Sequence, residues 1–515
     1  MAASASTPPP PITALAPLRD YLHTTRLLGS IHSTLYFDQN TVMPSASSAW
    51  RGEQLALLAR QIHARQSSPA FEELLSAAET ALGELEQTDP ACPQAAAQRN
   101  LRLLRQELQR QQRLDPLLVG RLAEAQARGY GLWQEARARA DFGLFAPALR
   151  DLVALRQEQA RQLAEPRSCW ESLAQVFEPD ISHARLAALF GPLRQRLPEL
   201  LEQAAALPPA PAIPWDLPEA EQERLSRELL EGWGYDPARC VRSRSPHPFS
   251  CTVGPADFRI TTRVLPGMPF SAFLATAHEW GHSRYEQGLP RGDDHYFPWP
   301  LGEATSMGVH ESQSLFFECR LARSRAFAVR WYPRFRNLLG SDPWGGEQAF
   351  WRALNPMRAG LNRVEADELS YCLHIVLRYE LERALLEQDL AVEELPEQWN
   401  NGMERLLGLR PANDAEGCLQ DVHWSEGLFG YFPSYALGHL ISAQLGESLE
   451  AEIGPIEAHL QSHGDQRVIG WLERHVWPLG RQVNGEELVE AVSGRALTAE
   501  PFLAYLEAKL ARLGG

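Results

Sequence analysis

Residues 271–289 read SAFLATAHEWGHSRYEQGL, and within them His278, Glu279 and His282 form the pattern H-E-x-x-H. The flanks read as helix. On a helix, two histidines four positions apart are rotated by only about 40° and separated by about 6 Å along the axis, so both imidazoles reach one ion from one face. Glu279 stands about 100° round from His278, where its carboxylate can take a proton from an attacking water. In a chain with 15 His and 65 acidic residues, chance produces roughly 0.06 such patterns. A zinc hydrolase is therefore a better reading than accident.

A hydrolytic zinc site needs a third protein ligand and an open position. Three glutamates compete for it, Glu303, Glu311 and Glu318, all within LGEATSMGVHESQSLFFECRLA, which reads as a second helix after a proline-rich loop. Loop length is free, so spacing does not choose among them.

The surrounding 515 residues are 44% hydrophobic and 22% charged, enough to bury a large core, which excludes a disordered or fibrous chain. A net charge of -16 repels phosphate backbones and anionic lipid, so neither nucleic acid nor a membrane surface is an expected partner. Seven dispersed cysteines without a C-x-x-C pair read as reduced thiols, which points to the cytoplasm. No secretory leader is expected from residues 1–18, which lack a basic start and a continuous apolar stretch, and no later stretch approaches the roughly 18 apolar residues of a membrane span.

Residues 1–14 are expected to form a disordered tail, and residues 15–515 a single catalytic unit of two helical lobes. Leu101, Leu104 and Leu108, and Leu149, Leu152, Val153, Ala160 and Leu163, follow the helical period. Five prolines within residues 207–218 mark a candidate lobe connection. Residues 246–264 alternate around Gly254-Pro255 and predict a small hairpin. There, Asp257, Arg259 and Thr261 are expected on one face and Phe258 and Ile260 on the other. Helical patterning resumes at Ser271, with loops near 290–300, 340–346 and 410–435.

Further motifs lie in order along the chain: HPF at 247–249, DFRIT at 257–261, HESQ at 310–313, NRVEAD at 362–367 and GCLQDVHW at 417–424. Together with HEWGH at 278–282 they resemble the carboxypeptidase Taq family of thermostable metallocarboxypeptidases, from about residue 15 to the C-terminus. One departure is Phe37-Asp38, where the family usually has Trp-Asp. Another is Leu315, at i+4 from Glu311, where related zinc peptidases carry an Asp that orients a histidine.

The resemblance implies a mainly α, two-lobed fold of the neurolysin type, with a deep central groove and a small sheet beside the zinc-binding helix. It implies His278, His282 and Glu311 as ligands of one Zn2+ per chain, with Co2+ as the other candidate, and Glu279 as the base. His423 then serves the peptide carbonyl or its oxyanion, with Tyr435 preferred over Tyr431 as the assisting phenol, and His310 stands behind the ligands. The activity implied is removal of residues from peptides with a free C-terminus, with broad specificity, by a homodimer. An oligopeptidase cutting internally and a non-enzymatic helical scaffold are the alternatives.

Cutting only at the C-terminus requires a positive partner for the substrate carboxylate, and arginine's planar fork suits it. Arg363 and Arg259 are the arginines inside these motifs. Arg363 is preferred, as a residue expected on a helix, because Asp257 shares a strand face with Arg259. A helix-surface pair of Arg363 with Asp367 is the plainer reading of that segment.

Overall fold

The computed structural model describes residues 15–88, 95–208, 217–265, 267–291 and 297–514. The expected tail to residue 14, Cys92, most of the proline-rich stretch at 207–218 and the middle of the 290–300 loop lie outside the described residues. Helices dominate, with one three-stranded sheet among the described residues. The chain divides into two units of three segments each. The first takes Met1–Gln112, Asp216–Thr305 and Ile469–Val483; the second takes Arg113–Trp215, Ser306–Val468 and Asn484–Gly515.

In the first unit, helices Ala16–Thr41, Pro69–Thr88 and Ala95–Gln112 bury one cluster that includes Leu18, Leu75 and the expected stripe Leu101, Leu104 and Leu108. The predicted hairpin forms from β2 (Ser250–Gly254) and β3 (Asp257–Thr262), antiparallel, with Cys251 opposite Arg259. A strand not read from the sequence, β1 (Cys240–Arg244), pairs parallel to β3 and gives the order β1-β3-β2. Phe258 and Ile260 are buried as expected, but Thr261 is buried too. Its hydroxyl lies 2.6 Å from that of Ser245 and accepts the Phe249 N–H at 2.9 Å, which satisfies it away from water.

The motif helix, Pro269–Gly288, lies against β3. Thr262 donates to the Ala272 carbonyl at 3.1 Å, and fully buried Trp280 donates its indole N–H to the Trp233 carbonyl at 3.2 Å. These contacts fix how far the helix is rolled about its axis, and therefore where its two histidines point.

In the second unit, the stripe of Leu149, Leu152, Val153, Ala160 and Leu163 is buried on helix Ala146–Leu163. Helix Pro433–Ile453 is buried on nearly every side, as suits a mean composition with little charge in its first three turns. Helix Met307–Leu315 packs on it, and Ser306 caps its start by accepting the Val309 N–H at 3.1 Å. That cap corrects the reading of LGEATSMGVHESQSLFFECRLA as one helix. Glu303 stands outside it, after a short 3-10 turn at Pro300–Gly302, and Phe316–Ala322 continues as a π-helix.

No helix among the described residues is long and apolar enough to cross a membrane. All six described cysteines are free thiols.

Candidate metal centre

Helical spacing alone brings the two motif histidines together: their ring centroids lie 5.0 Å apart at 83°. Each is half-buried, and Glu279, the next residue along, is only 7% exposed. A ring nitrogen from each histidine and a carboxylate oxygen of Glu311 all lie within 4.8 Å of one another, the group of this kind found among the described residues. Two imidazole nitrogens and one carboxylate oxygen are the donor chemistry of a catalytic zinc site with a position left for water.

Glu311 is held from two sides. Ser314 donates to its Oε2 at 3.2 Å. Opposite it stands Gly438, where an added Cβ would come within 2.7 Å of the Glu311 Cγ. Only glycine lets the two helices approach this closely, and the contact leaves the Glu311 stem little freedom.

The competing glutamates are occupied elsewhere. Glu303 pairs with Arg26 and, at 2.7 Å, with Arg481. Glu318 pairs with Arg323 at 2.9 Å.

Arg363 is not on a helix. It opens a single 3-10 turn, Arg363–Glu365, and is 7% exposed. Nor does it pair with Asp367, whose carboxylate accepts the N–H groups of Arg358, Leu369 and Ser370 at the start of helix Tyr371–Leu386. Its guanidinium reaches Asp421 at 2.7 Å and donates to the Tyr371 hydroxyl at 3.0 Å. Asp421 also receives Arg378 at 2.6 Å. Burial alone would raise the Asp421 carboxyl, but Arg378 and Arg363 hold it well below the usual carboxylate range. Burial brings Arg378 down to about 10, against the pull of Asp421, so it remains charged at neutral pH. Two arginines and one aspartate leave this buried trio with one positive charge in excess.

Arg259, by contrast, forks onto Asp257 at 2.8 and 2.6 Å, with its guanidinium 5.1 Å from the Phe37 ring centre.

His423 and Tyr435 come together: Nε2 lies 3.3 Å from the phenol oxygen. Burial, with help from Arg363 and Arg378 and against Asp421, pushes His423 down to about 4, so the ring is neutral near pH 7 and carries one N–H. Its Nδ1 is buried without a hydrogen-bond partner. Burial pushes Tyr435 up to about 12, with Arg363 opposing. Tyr431 packs edge-on against Tyr435 with ring centres 5.2 Å apart, and its phenol is raised further, again by burial.

Sequence reading missed Tyr371, His374, Arg378 and Glu382. Their steps of three and four residues, along the largely buried helix Tyr371–Leu386, are the signal that was there to find. A stripe of polar residues on a buried helix marks an internal network, since buried polar groups need partners.

A mainly helical frame around an H-E-x-x-H helix, with a carboxylate brought beside its histidines, defines a metallopeptidase. Residues 17–510 match the family model of the carboxypeptidase Taq (M32) metallopeptidases, and the chain belongs to that family. It is a metal-dependent carboxypeptidase, a hydrolase of peptide bonds. It is 36% identical over 517 residues to thermostable carboxypeptidase 1 of Thermus thermophilus, covering 98% of this chain and 100% of that one. With carboxypeptidase 1 of Bacillus subtilis it shares 30% over 486 residues, covering 93% and 94%. Among solved structures, the M32 carboxypeptidase of Deinococcus radiodurans superposes with a TM-score of 0.91 at 32% identity, over 98% of this chain and 100% of that one. Trypanosoma cruzi metallocarboxypeptidase 1 gives 0.89 at 31%, over 97% and 100%.

Proposed function

We propose that the chain is a zinc carboxypeptidase that holds one ion in the group of His278, His282 and Glu311, and that Co2+ can replace the zinc. The observation that carries this reading is the convergence of those three donors. When bound, the divalent ion supplies Lewis acidity to water and to the scissile carbonyl. Glu279 takes a proton from the attacking water as its oxygen bonds to the carbonyl carbon, and passes it to the amine nitrogen as the C–N bond breaks. His423 and Tyr435 donate to the carbonyl oxygen as charge develops there, with Tyr431 lining the same place. The neutrality of His423 favours this, because its N–H is available without a competing ion pair.

Arg363 receives the substrate's terminal carboxylate, with Arg259 in a supporting place at most. The excess positive charge of the Arg363–Asp421–Arg378 trio supports the choice, because an anion arriving there meets an uncompensated cation. Replacing Arg363 by Ala leaves Asp421 paired with Arg378, so the fold keeps a neutral pair. The expected loss on free-acid peptides is about 2–5 kcal/mol, roughly 30-fold or more in kcat/KM. Metal content, and the slow cleavage of C-terminally amidated peptides, stay unchanged. Mass spectrometry of one peptide in both forms decides the matter. Equal cleavage of the two forms by the unmodified enzyme, at internal bonds, sinks the reading.

The same proposal places the enzyme in the cytoplasm, in keeping with the free thiols, and takes it to act as a homodimer. Light scattering at low concentration is expected to give about twice 57.6 kDa; the single-chain mass contradicts the dimer.

A further inference from the structure

Glu178 belongs to no motif above, yet it is a carboxylate only 6% exposed in the second unit. It lies against the start of a helix. The Gly308 N–H, in the first turn of helix Met307–Leu315, donates to its Oε1. The Ser434 hydroxyl, in the first turn of helix Pro433–Ile453, is buried without a hydrogen-bond partner, so the hydrogen bond that holds this carboxylate is the one from the Gly308 amide. Burial pushes Glu178 up to about 7, while the polar groups around it, the Gly308 amide among them, pull the other way.

The packing around it is close. A Cβ at Gly308 would lie 3.0 and 3.2 Å from the two Glu178 oxygens and 3.1 Å from the Leu437 Cβ. Next to Glu178, the Phe177 carbonyl accepts the Met307 N–H at 3.0 Å, and the Phe177 ring meets Tyr431 edge-on with centres 5.1 Å apart. Gly308 precedes Glu311 by three residues, one helical turn on the same side. Ser434 adjoins Tyr435. The two helices touch at Gly438 and Glu311 and again at Gly308 and Leu437, so a fixed first turn in one sets how it is rolled against the other.

We propose that Glu178 is a positioning residue for the metallopeptidase reaction: by holding the Gly308 N–H it fixes the first turn of helix Met307–Leu315 where that turn meets Leu437, and so sets where Glu311 stands relative to Tyr435. It touches neither metal nor substrate and acts through the residues it holds. The inference rests on the proposed roles of Glu311 as ligand and Tyr435 as oxyanion donor.

The test compares Glu178→Gln, which keeps the shape and removes the charge, with Glu178→Ala and with Glu311→Gln, all as the full chain loaded with Co2+. The measurements are cobalt affinity by chelator competition, the visible spectrum per bound cobalt, kcat and KM separately, and the unfolding temperature without metal. Glu178→Gln is expected to lose about 10-fold, and Glu178→Ala about 100-fold, in kcat or cobalt affinity, the range typical of groups that orient ligands. KM stays near wild type and the spectrum per cobalt is altered. A role in folding alone lowers the folded fraction and leaves that spectrum as it was. Wild-type kcat, affinity and spectrum in Glu178→Gln overturn the proposal, as does a kcat loss that vanishes on correction for folded protein. If Glu178→Ala does not fold, Glu178→Gln still decides. Glu311→Gln separates the two ideas: if it keeps its cobalt, the ligand assignment itself fails, whatever the Glu178 variants do.

Discussion

Glu279→Gln is expected to keep its metal and to lose about two to four orders of magnitude in turnover, the contribution typical of a positioned general acid–base group. The substitution is isosteric and the site is only 7% exposed, so the amide fills the space of the carboxylate without a change of packing. What disappears is the capacity to accept a proton. Water must then attack without a base, and the departing amine must find its proton elsewhere. Neither change touches His278 or His282, whose place is set by the roll of helix Pro269–Gly288 against β3. Elemental analysis measures the metal and single-turnover kinetics the chemical step. Near-normal turnover excludes Glu279 as the base.

Glu311→Gln is expected to abolish metal binding and activity together. The change replaces the one anionic donor of the group with a neutral amide oxygen, and two imidazoles alone make a poor zinc site. The loss in affinity is expected to exceed the roughly 10- to 100-fold typical of residues that merely orient ligands. Glu303→Gln and Glu318→Gln are the controls, because their carboxylates serve Arg26 and Arg481, and Arg323, respectively. Both controls should retain full metal. If Glu303→Gln loses metal while Glu311→Gln keeps it, the assignment is reversed.

How far the sequence could be read depended on the range of the interactions involved. His278 and His282 are neighbours by helical geometry, so their pairing was visible from spacing. The stripes of Leu101, Leu104 and Leu108 and of Leu149, Leu152 and Leu163 were visible for the same reason, and so was the β2–β3 hairpin around its Gly-Pro turn. β1 was not, because in CVRSR both arginines are spent on helix residues, Arg242 on Glu223 and Arg244 on Glu219 and Glu223. No apolar alternation remains there. The start of the Glu311 helix depended on a single serine cap inside a segment of helical composition. In sequence, Arg363 reads as part of a helix that pairs it with Asp367, four positions on, because local spacing reports only near neighbours. Its partner Asp421 is 58 residues away, and no local pattern reports such a pairing. Glu178 was invisible for the same reason: its bond to Gly308, 130 residues further on, exists only once the second unit has folded.

The interleaving of the two units bears on how the chain is made. No single cut yields either unit whole, because each draws on three separated segments. The first unit is begun by the residues up to Gln112 but is complete only when the stretch Ile469–Val483 has been added. At about 5–20 residues/s of synthesis, that wait is roughly 20–70 s. For the first half of it, until Trp299 has been made, the apolar stripe of helix Ala95–Gln112 lacks part of its cluster. The nascent chain thus leaves apolar surface exposed while it waits, and neither unit is encoded by one continuous stretch of sequence.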